Sequence, residues 1–296
     1  MTITLDGQVA IVTGAGQGLG RAHALALAAR GANIVVNDLN NATSVVDEIK
    51  DAGGDAIAND ADVVDYGQVE TMVKQAMDAW GRVDILINNA GILRDKTFHK
   101  MTIEDFRLVV DVHLMGSANC TKAVWKIMRE QSYGRIIFTT SSTGLYGNFG
   151  QANYGAAKMA VVGLMNTLHL EGAKYDIRVN CLAPAAGTAM TEGLFPDGVY
   201  NLLTPESVSP GVVFLVGPDA PSRTILTAGG GAFAIYKGFE TDGISLLPDK
   251  LSPEGIAAAW EAITNEDGMK KFASGFEQAS KFAIKGAEKM GIDLSQ

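Results

Sequence analysis

The chain has 296 residues, a formal net charge of −9 and 47% hydrophobic against 19% charged residues. That balance supports a well-buried globular core and excludes a mainly disordered chain, and the acidic net charge argues against a broad basic face for nucleic acid. The only two cysteines, Cys120 and Cys181, exclude a disulfide framework and a cysteine metal cluster.

Two lone thiols fit a reducing compartment. The segment Met1–Asp6 lacks the basic and apolar regions of a signal peptide. No apolar run reaches about 18 residues, so no membrane span is expected. The cytoplasm is the expected location, with neither membrane nor nucleic acid as partner.

In chain order, Val9–Val12 is a short β-rich run ending in a glycine cluster, and a helix is predicted over about Leu19–Arg30. A strand at Asn33–Asn37 and a helical pattern through Val45, Val46 and Ile49 follow, stopped by Gly53-Gly54. Next come a strand at Ala56–Asn59, a helix at Val69–Trp80 and a strand at Val83–Ile87. One long helix is predicted over Ile103–Arg129, then a strand at Arg135–Thr140 and a second long helix at Asn153–Lys174. A strand at Ile177–Cys181 and a last one at Thr224–Ala228 complete the set.

Continuous apolar strands separated by amphipathic helices indicate a parallel sheet covered on both faces. The predicted class is α/β, a doubly wound Rossmann sheet in a single domain over residues 1–240. Residues 241–296 hold no clear strand and end in an Ala/Lys-rich helical pattern over about Glu266–Lys289. They form a C-terminal extension, packed on the domain or on a neighbouring subunit, and too small to stand as a domain.

Thr13-Gly14-Ala15-Gly16-Gln17-Gly18-Leu19-Gly20 lies between a predicted strand and helix. Residues without Cβ let the backbone turn sharply against a pyrophosphate, and the helix start presents unpaired N–H groups. Gly14, Gln17, Gly18, Leu19 and Gly20 are the candidate contacts of a dinucleotide. The alternative is a tight β–α turn with no ligand. Asp38 ends the second strand, where a carboxylate accepts from ribose hydroxyls and repels a 2′-phosphate. No Arg or Lys precedes Arg21 in the loop or lies near Asp38, which favours NAD over NADP. Asp38 can instead cap the next helix, a task open also to Asn40 and Asn41.

Three further strings complete a pattern. Asn88-Asn89-Ala90-Gly91 follows the fourth strand, Ser141 precedes Tyr154 by thirteen positions, and Tyr154 and Lys158 form a Tyr-x-x-x-Lys motif. With the glycine loop, they closely resemble the short-chain dehydrogenase/reductase family over about residues 5–235. Residues 91–95, 146–154 and 183–187 are similar to the dehydrogenase unit of the multifunctional enzyme type 2 branch. That branch oxidises (3R)-hydroxyacyl-CoA and is also described as a 17β-hydroxysteroid dehydrogenase. Its hydratase and sterol-carrier units have no counterpart in this sequence, and Leu294-Ser295-Gln296 is no peroxisomal signal.

Tyr154 and Lys158 are four apart and share a helix face. A tyrosine with a pKa of about 10 needs a nearby positive charge to act as a base near neutrality, and Lys158 can supply it, joined by the oxidised nicotinamide. The resemblance implies that Lys158 also binds the nicotinamide ribose, that Ser141 orients the substrate oxygen, and that Tyr154 takes its proton. Ser142 is the neighbouring alternative to Ser141. The resemblance further assigns Asp62 and Val63 to the adenine and Asn89, Ala90 and Gly91 to the adenosine ribose side. It places Pro184–Thr188 under the nicotinamide, with Thr188 or Thr191 touching the carboxamide. Where the family carries an Asn in Asn-x-x-Gly, this chain has His113-Leu114-Met115-Gly116. His113 is either a relay group or a satisfied buried histidine.

Arg94, Lys96, Lys100 and Arg107 form a small basic cluster after the Asn-Asn-Ala-Gly turn. It can receive CoA phosphates or be a solvated helix start. Residues 190–200 match the position of the family's mobile substrate loop. The leading expectation is an NAD-dependent dehydrogenase converting 3-hydroxyacyl-CoA to 3-oxoacyl-CoA. The alternatives are a dehydrogenase of steroids or other free secondary alcohols, and, in a different class, a silent NAD-binding regulator. The resemblance implies a homotetramer or homodimer, with Ala156, Ala157, Ala160 and Gly163 as a small-residue face that can serve an interface or the sheet.

Overall fold

The computed structural model describes residues 2–187 and 197–294. Thr188, Thr191 and most of the predicted substrate loop lie outside the described residues. The described chain forms two compact units, Met1–Tyr236 and Lys237–Gln296.

The first unit alternates strands and helices. In order they are β1 (Val9–Thr13), α1 (Gly18–Ala28), β2 (Asn33–Asn37), α2 (Ala42–Asp51), β3 (Ala56–Asn59), α3 (Tyr66–Trp80) and β4 (Ile85–Asn88). There follow α4 (Ile103–Val110), α5 (Gly116–Gln131), β5 (Gly134–Thr139), α6 (Ser142–Tyr146), α7 (Ala152–Gly172) and β6 (Ile177–Pro184). Last come α8 (Asp197–Tyr200), α9 (Ser209–Val216), β7 (Ile225–Gly229) and β8 (Ala232–Tyr236). The sheet order is β3-β2-β1-β4-β5-β6-β7-β8. Strands β1 to β7 pair in parallel, and β8 pairs antiparallel with β7.

The period of two along each strand divides the core. Ala10, Val12, Ile34 and Val36 pack on one face, whereas Val9, Ile11, Val35 and Leu86 pack on the other. Both faces are dry, which is why these strands read as unbroken apolar runs. Local chemistry sets the helix ends. The Asp65 carboxylate accepts from the Gln68 N–H at the start of α3, and Gly81 closes that helix at φ 74°.

α6 and α9 were not predicted and the C-terminal helix begins at Gly275 rather than about Glu266, and two further departures alter the frame of the sheet. The predicted long helix over Ile103–Arg129 is interrupted by a π-helical segment, Asp111–Met115. The inserted residue shifts the face that this helix presents, and His113 sits at its centre. The second departure is β8, which makes the far edge of the sheet antiparallel. Gly230 and Gly231, at φ 56° and 78°, turn the chain back after β7.

The second unit contains α10 (Pro253–Ala258), α11 (Trp260–Thr264) and α12 (Gly275–Met290), with one isolated bridge between Glu240 and Lys270. Ser274 caps α12 through the Glu277 N–H. Glu240 and Asp242 hold Lys281 and Lys285 on α12 at 2.8 and 2.6 Å. Among the described residues, no helix is long and apolar enough to cross a membrane.

α1 packs on α9 through His23, whose Nδ1 lies 2.9 Å from the Ser209 hydroxyl. The ring is fully buried, and burial pushes its pKa down to about 3. The unfolded chain therefore takes up this proton near pH 6.5 and the folded chain only near pH 3, so stability falls as pH drops between those values. Between pH 7 and pH 5, urea unfolding of the wild-type protein should lose about 2 kcal/mol more than His23→Gln, at roughly 1.4 kcal/mol per pH unit. Equal losses in the two proteins would remove His23 from the acid response.

Candidate active site

The carboxyl ends of β1 and β4 meet where the sheet order reverses direction. The chain leaves β1 toward β2 on one side, while β4 lies on the other. A crevice opens at such a point in open α/β sheets. The glycine loop and the Asn88–Gly91 turn form its two walls.

Those walls are bonded to each other. The Asn89 side-chain amide donates to the carbonyls of Thr13 at 3.0 Å and Gly14 at 3.1 Å. The Thr13 hydroxyl accepts from the N–H groups of Asn89 and Ala90. The approach is so close that a Cβ at Gly14 would lie 2.8 Å from the Ala90 Cα, and one at Gly20 would lie 2.1 Å from the Gly14 carbonyl oxygen. Glycine is required at both positions by backbone, which cannot move aside as a side chain can. Asn89 thus spends its amide on bracing the loop.

The residues fit a pyrophosphate. Gln17 stands in extended geometry at the start of α1, makes no side-chain cap, and no acidic residue occupies the first turn. The N–H groups of that turn are left for an anion. Asp38 accepts from the Gly16 N–H at 3.0 Å and from the Asn40 and Asn41 N–H groups at 3.0 and 3.3 Å. It therefore organises the turn into α2, a role the sequence left open to Asn40 and Asn41. Asn41 makes no side-chain cap. Arg21, the nearest cation of the loop, is paired with Glu48, at 3.0 Å from Nε.

A cavity of about 210 Å³ brings together Leu19, Asn89, Gly91, His113, Ser141, Tyr154, Lys158 and Pro184. Its lining extends to Ser142, Asn148 and Gln151, so both serine candidates border it. Ser141 is the N-cap of α6 and accepts from the Thr143 N–H at 3.1 Å. Ser142 begins the helix and is exposed. Asp38, Asp62 and Val63 do not line this cavity. The Asp62 carboxylate holds its own turn through the Val64 N–H, and Val63 is buried against Gly116 of α5. A wider cleft of about 640 Å³ lies at the amino ends of the strands, lined in part by Thr2, Asp6, Arg30 and Gly54, and includes none of the predicted site residues.

Tyr154 and Lys158 share the inner face of α7. The Lys158 Nζ stands 5.5 Å from the centre of the Tyr154 ring and donates to the Thr139 carbonyl at 2.6 Å. Burial raises the Tyr154 phenol above its ordinary value, Ser141 opposes that through a hydrogen bond, and Asp95 adds to it by charge. Burial also brings Lys158 itself down to about 7. At neutral pH its charge is only partly present, because both groups stand in the same dry pocket.

His113 is neither fully satisfied nor a charged relay. Its Nε2 lies 2.8 Å from the Ile92 carbonyl oxygen, while Nδ1 is buried without a partner among the described residues. Burial, helped by Lys158, lowers its pKa to about 3, so the ring is neutral at ordinary pH. It packs edge-on to Tyr154 at 5.2 Å between centroids. The ring fits only because Gly91 has no Cβ, which would lie 2.3 Å from His113 Cε1.

Sequence reasoning missed Asp95 and Gln151. Gln151 donates from Nε2 to Asp95 at 2.6 Å and accepts from Thr143 at 2.9 Å and from Asn148 at 3.1 Å. No local pattern announces this network, since its members come from separate loops.

The short chain dehydrogenase model matches residues 8–197. The chain belongs to that family. It is 46% identical over 89% of its length to a Mycobacterium tuberculosis chain designated a short-chain type dehydrogenase/reductase, and covers 96% of that relative. It is 42% identical to peroxisomal multifunctional enzyme type 2 of Drosophila melanogaster over 96% of this chain and 50% of the relative. The solved structure of that enzyme covers 97% of this chain and 51% of its own, with a TM-score of 0.84 and 38% identity. This dehydrogenase therefore spans about half the length of that relative. A 7α-hydroxysteroid dehydrogenase solved with NADH and a 7-oxo bile acid matches with a TM-score of 0.72 at 32% identity, over 77% of this chain and 95% of that one. Family and relatives make the chain an oxidoreductase.

A methyl group at Gly20 should force the loop apart. Gly20→Ala is expected to lose about 1–3 kcal/mol in thermal or denaturant unfolding. Gly286→Ala, on α12 with nothing within 4 Å of the added carbon, should gain up to about 1 kcal/mol. A Gly20→Ala protein as stable as wild type would refute the close contact.

Proposed function

We propose that this dehydrogenase uses NAD to interconvert 3-hydroxyacyl-CoA and 3-oxoacyl-CoA thioesters. The observation that carries the reading is the convergence of Ser141, Tyr154 and Lys158 on one cavity beside the glycine loop. Similarity over nearly the whole chain to a multifunctional enzyme type 2 supports the acyl-CoA class. The hydroxysteroid dehydrogenase neighbour keeps steroids as the second reading. A silent NAD-binding regulator would have no use for the full Ser-Tyr-Lys set.

The glycine loop, with Gly14, Gln17, Gly18, Leu19 and Gly20, would hold the pyrophosphate. Asp38 favours NAD, because its carboxylate repels a 2′-phosphate. Asp62, Val63, Ala90 and Gly91 would border the adenosine, and Pro184 the nicotinamide end. When bound, the nicotinamide supplies the hydride acceptor. Ser141 holds the substrate oxygen by a hydrogen bond. Tyr154 removes the hydroxyl proton during oxidation and returns one during reduction. Lys158, held by the Thr139 carbonyl, adds positive charge that favours the phenolate as it becomes protonated.

We also propose self-association through α7, where Ala156 and Gly163 are exposed while Ala157 packs into the core. Two buried free thiols support a reducing compartment, consistent with the cytoplasm.

NADH formation from a medium-chain (3R)-hydroxyacyl-CoA, run beside the (3S) epimer, tests the reaction. Fast turnover of the (3R) form is expected, with Tyr154→Phe slower by at least about 100-fold and NAD affinity kept. No turnover of either epimer with NAD bound would move the assignment to steroids or other free alcohols. Because burial and Asp95 both raise Tyr154, oxidation should speed up as pH rises. Asp95→Asn should shift that rise in kcat/KM to lower pH, and an unmoved profile would remove Asp95 from the electrostatics of the site.

A further inference from the structure

The loop after β4 and the turn before α7 are fastened together at the mouth of the cavity. The Lys96 N–H donates to the Gly150 carbonyl at 2.9 Å, Asn153 Nδ2 to the Arg94 carbonyl at 3.1 Å, and Gln151 to Asp95. Leu93, Asn148 and Gln151 line the cavity, so the joined loops form its rim. Arg94 and Lys96 belong to these joined loops, and Lys100 follows Lys96 by four positions, in a chain of net charge −9.

The acidic groups of the segment are Asp95, Glu104 and Asp105. Asp95 is turned onto Gln151. Asp105 faces both Arg94, at 3.9 Å, and Lys96, at 3.4 Å, which keeps two cations side by side. These are half-exposed pairs, worth little against solvent, so an incoming phosphate can compete for them. Phe98 follows Lys96 by two positions, Phe149 precedes Gly150, whose carbonyl accepts from the Lys96 N–H, and the two rings are 73% and 89% exposed. Burying such a ring is worth about 1.5–3 kcal/mol, so two exposed rings beside a functional cavity mark a binding face. Cations for phosphate with aromatic faces for a base are the means of holding a nucleotide.

The cavity is also small. At about 210 Å³ it lies below the usual 300–1,000 Å³ of ligand pockets. With the nicotinamide end of NAD also assigned to it, the cavity leaves room for an acyl end and not for the nucleotide of CoA.

We propose that Arg94, Lys96, Lys100, Phe98 and Phe149 form a second nucleotide subsite, separate from the glycine loop, for the phosphorylated adenosine end of a CoA thioester. The subsite rests on the acyl-CoA reading above. The phosphates would meet the cations, the adenine would stack on an exposed ring, and the pantetheine arm would run over the rim to Ser141 and Tyr154.

Two measurements separate this subsite from the reaction. Free CoA is titrated into NAD-saturated protein, so that the glycine loop is occupied, with wild type beside Lys96→Gln/Lys100→Gln and Phe149→Ser. The same 3-hydroxyacyl group is then offered on CoA and on N-acetylcysteamine, which lacks the nucleotide. Wild type should bind CoA in a salt-sensitive way and show a KM at least about tenfold lower for the CoA ester. Each variant should weaken CoA binding and raise that KM about tenfold, leaving the truncated thioester unchanged. Absent CoA binding, unaltered binding in the variants, or equal losses on both thioesters would overturn the subsite. CoA binding lost in the variants, without turnover of either thioester in wild type, would sustain the subsite and overturn the substrate reading alone.

Discussion

The contact between two backbone turns, Thr13–Gly14 and Asn89–Ala90, is the constraint on which the rest depends. Neighbouring parallel strands β1 and β4 bring these turns together, and the Asn89 amide bonds both loop carbonyls. A loop held this closely cannot carry side chains on its inner surface. Its glycines therefore follow from sheet packing as well as from any ligand. The same closeness leaves the first-turn N–H groups of α1 aimed into the crevice, where the partial charge of a helix start is strongest. Stability and anion binding draw on one arrangement of backbone.

Dryness governs the chemistry beside it. Tyr154, Lys158 and His113 share a pocket in which burial penalises every charged form. The lysine is held near neutrality, the histidine is held neutral, and the phenol is held protonated. Of the three, Lys158, brought down to about 7, is the group whose proton a small change of nearby charge moves at neutral pH. The π-helical insertion that carries His113 belongs to the same design. It turns the imidazole onto Ile92 and against Tyr154, and the missing Cβ of Gly91 makes room for it.

Much of this was legible in the chain order of residues. Strands β1 to β3 lie at or within a residue of their predicted ends, because fully buried parallel strands are continuous apolar runs bounded by turn residues. The Thr13–Gly20 loop and the spacing of Ser141, Tyr154 and Lys158 led to one crevice. The antiparallel β8 was missed although Gly229-Gly230-Gly231 and the following alternation signal a hairpin. The π-helical break was not legible, since its residues fit an ordinary helix and the contacts of His113 with Gly91 and Tyr154 join distant parts of the chain. Asp95 and Gln151 were missed for a related reason. Their bond joins loops 56 positions apart.

Sequence alone determined what depends on local rules: the α/β alternation, the glycine loop, the order of the Ser-Tyr-Lys set and the family. Those features are encoded in spacing, and spacing survives without knowledge of the fold. Tertiary structure decided which groups share a dielectric and which share a hydrogen bond. It set Lys158 near neutrality, raised Tyr154 by burial, gave Asp38 a structural task, and joined an exposed basic segment to the cavity mouth. Burial and long-range pairing are properties of the packed chain, so no window of residues contains them.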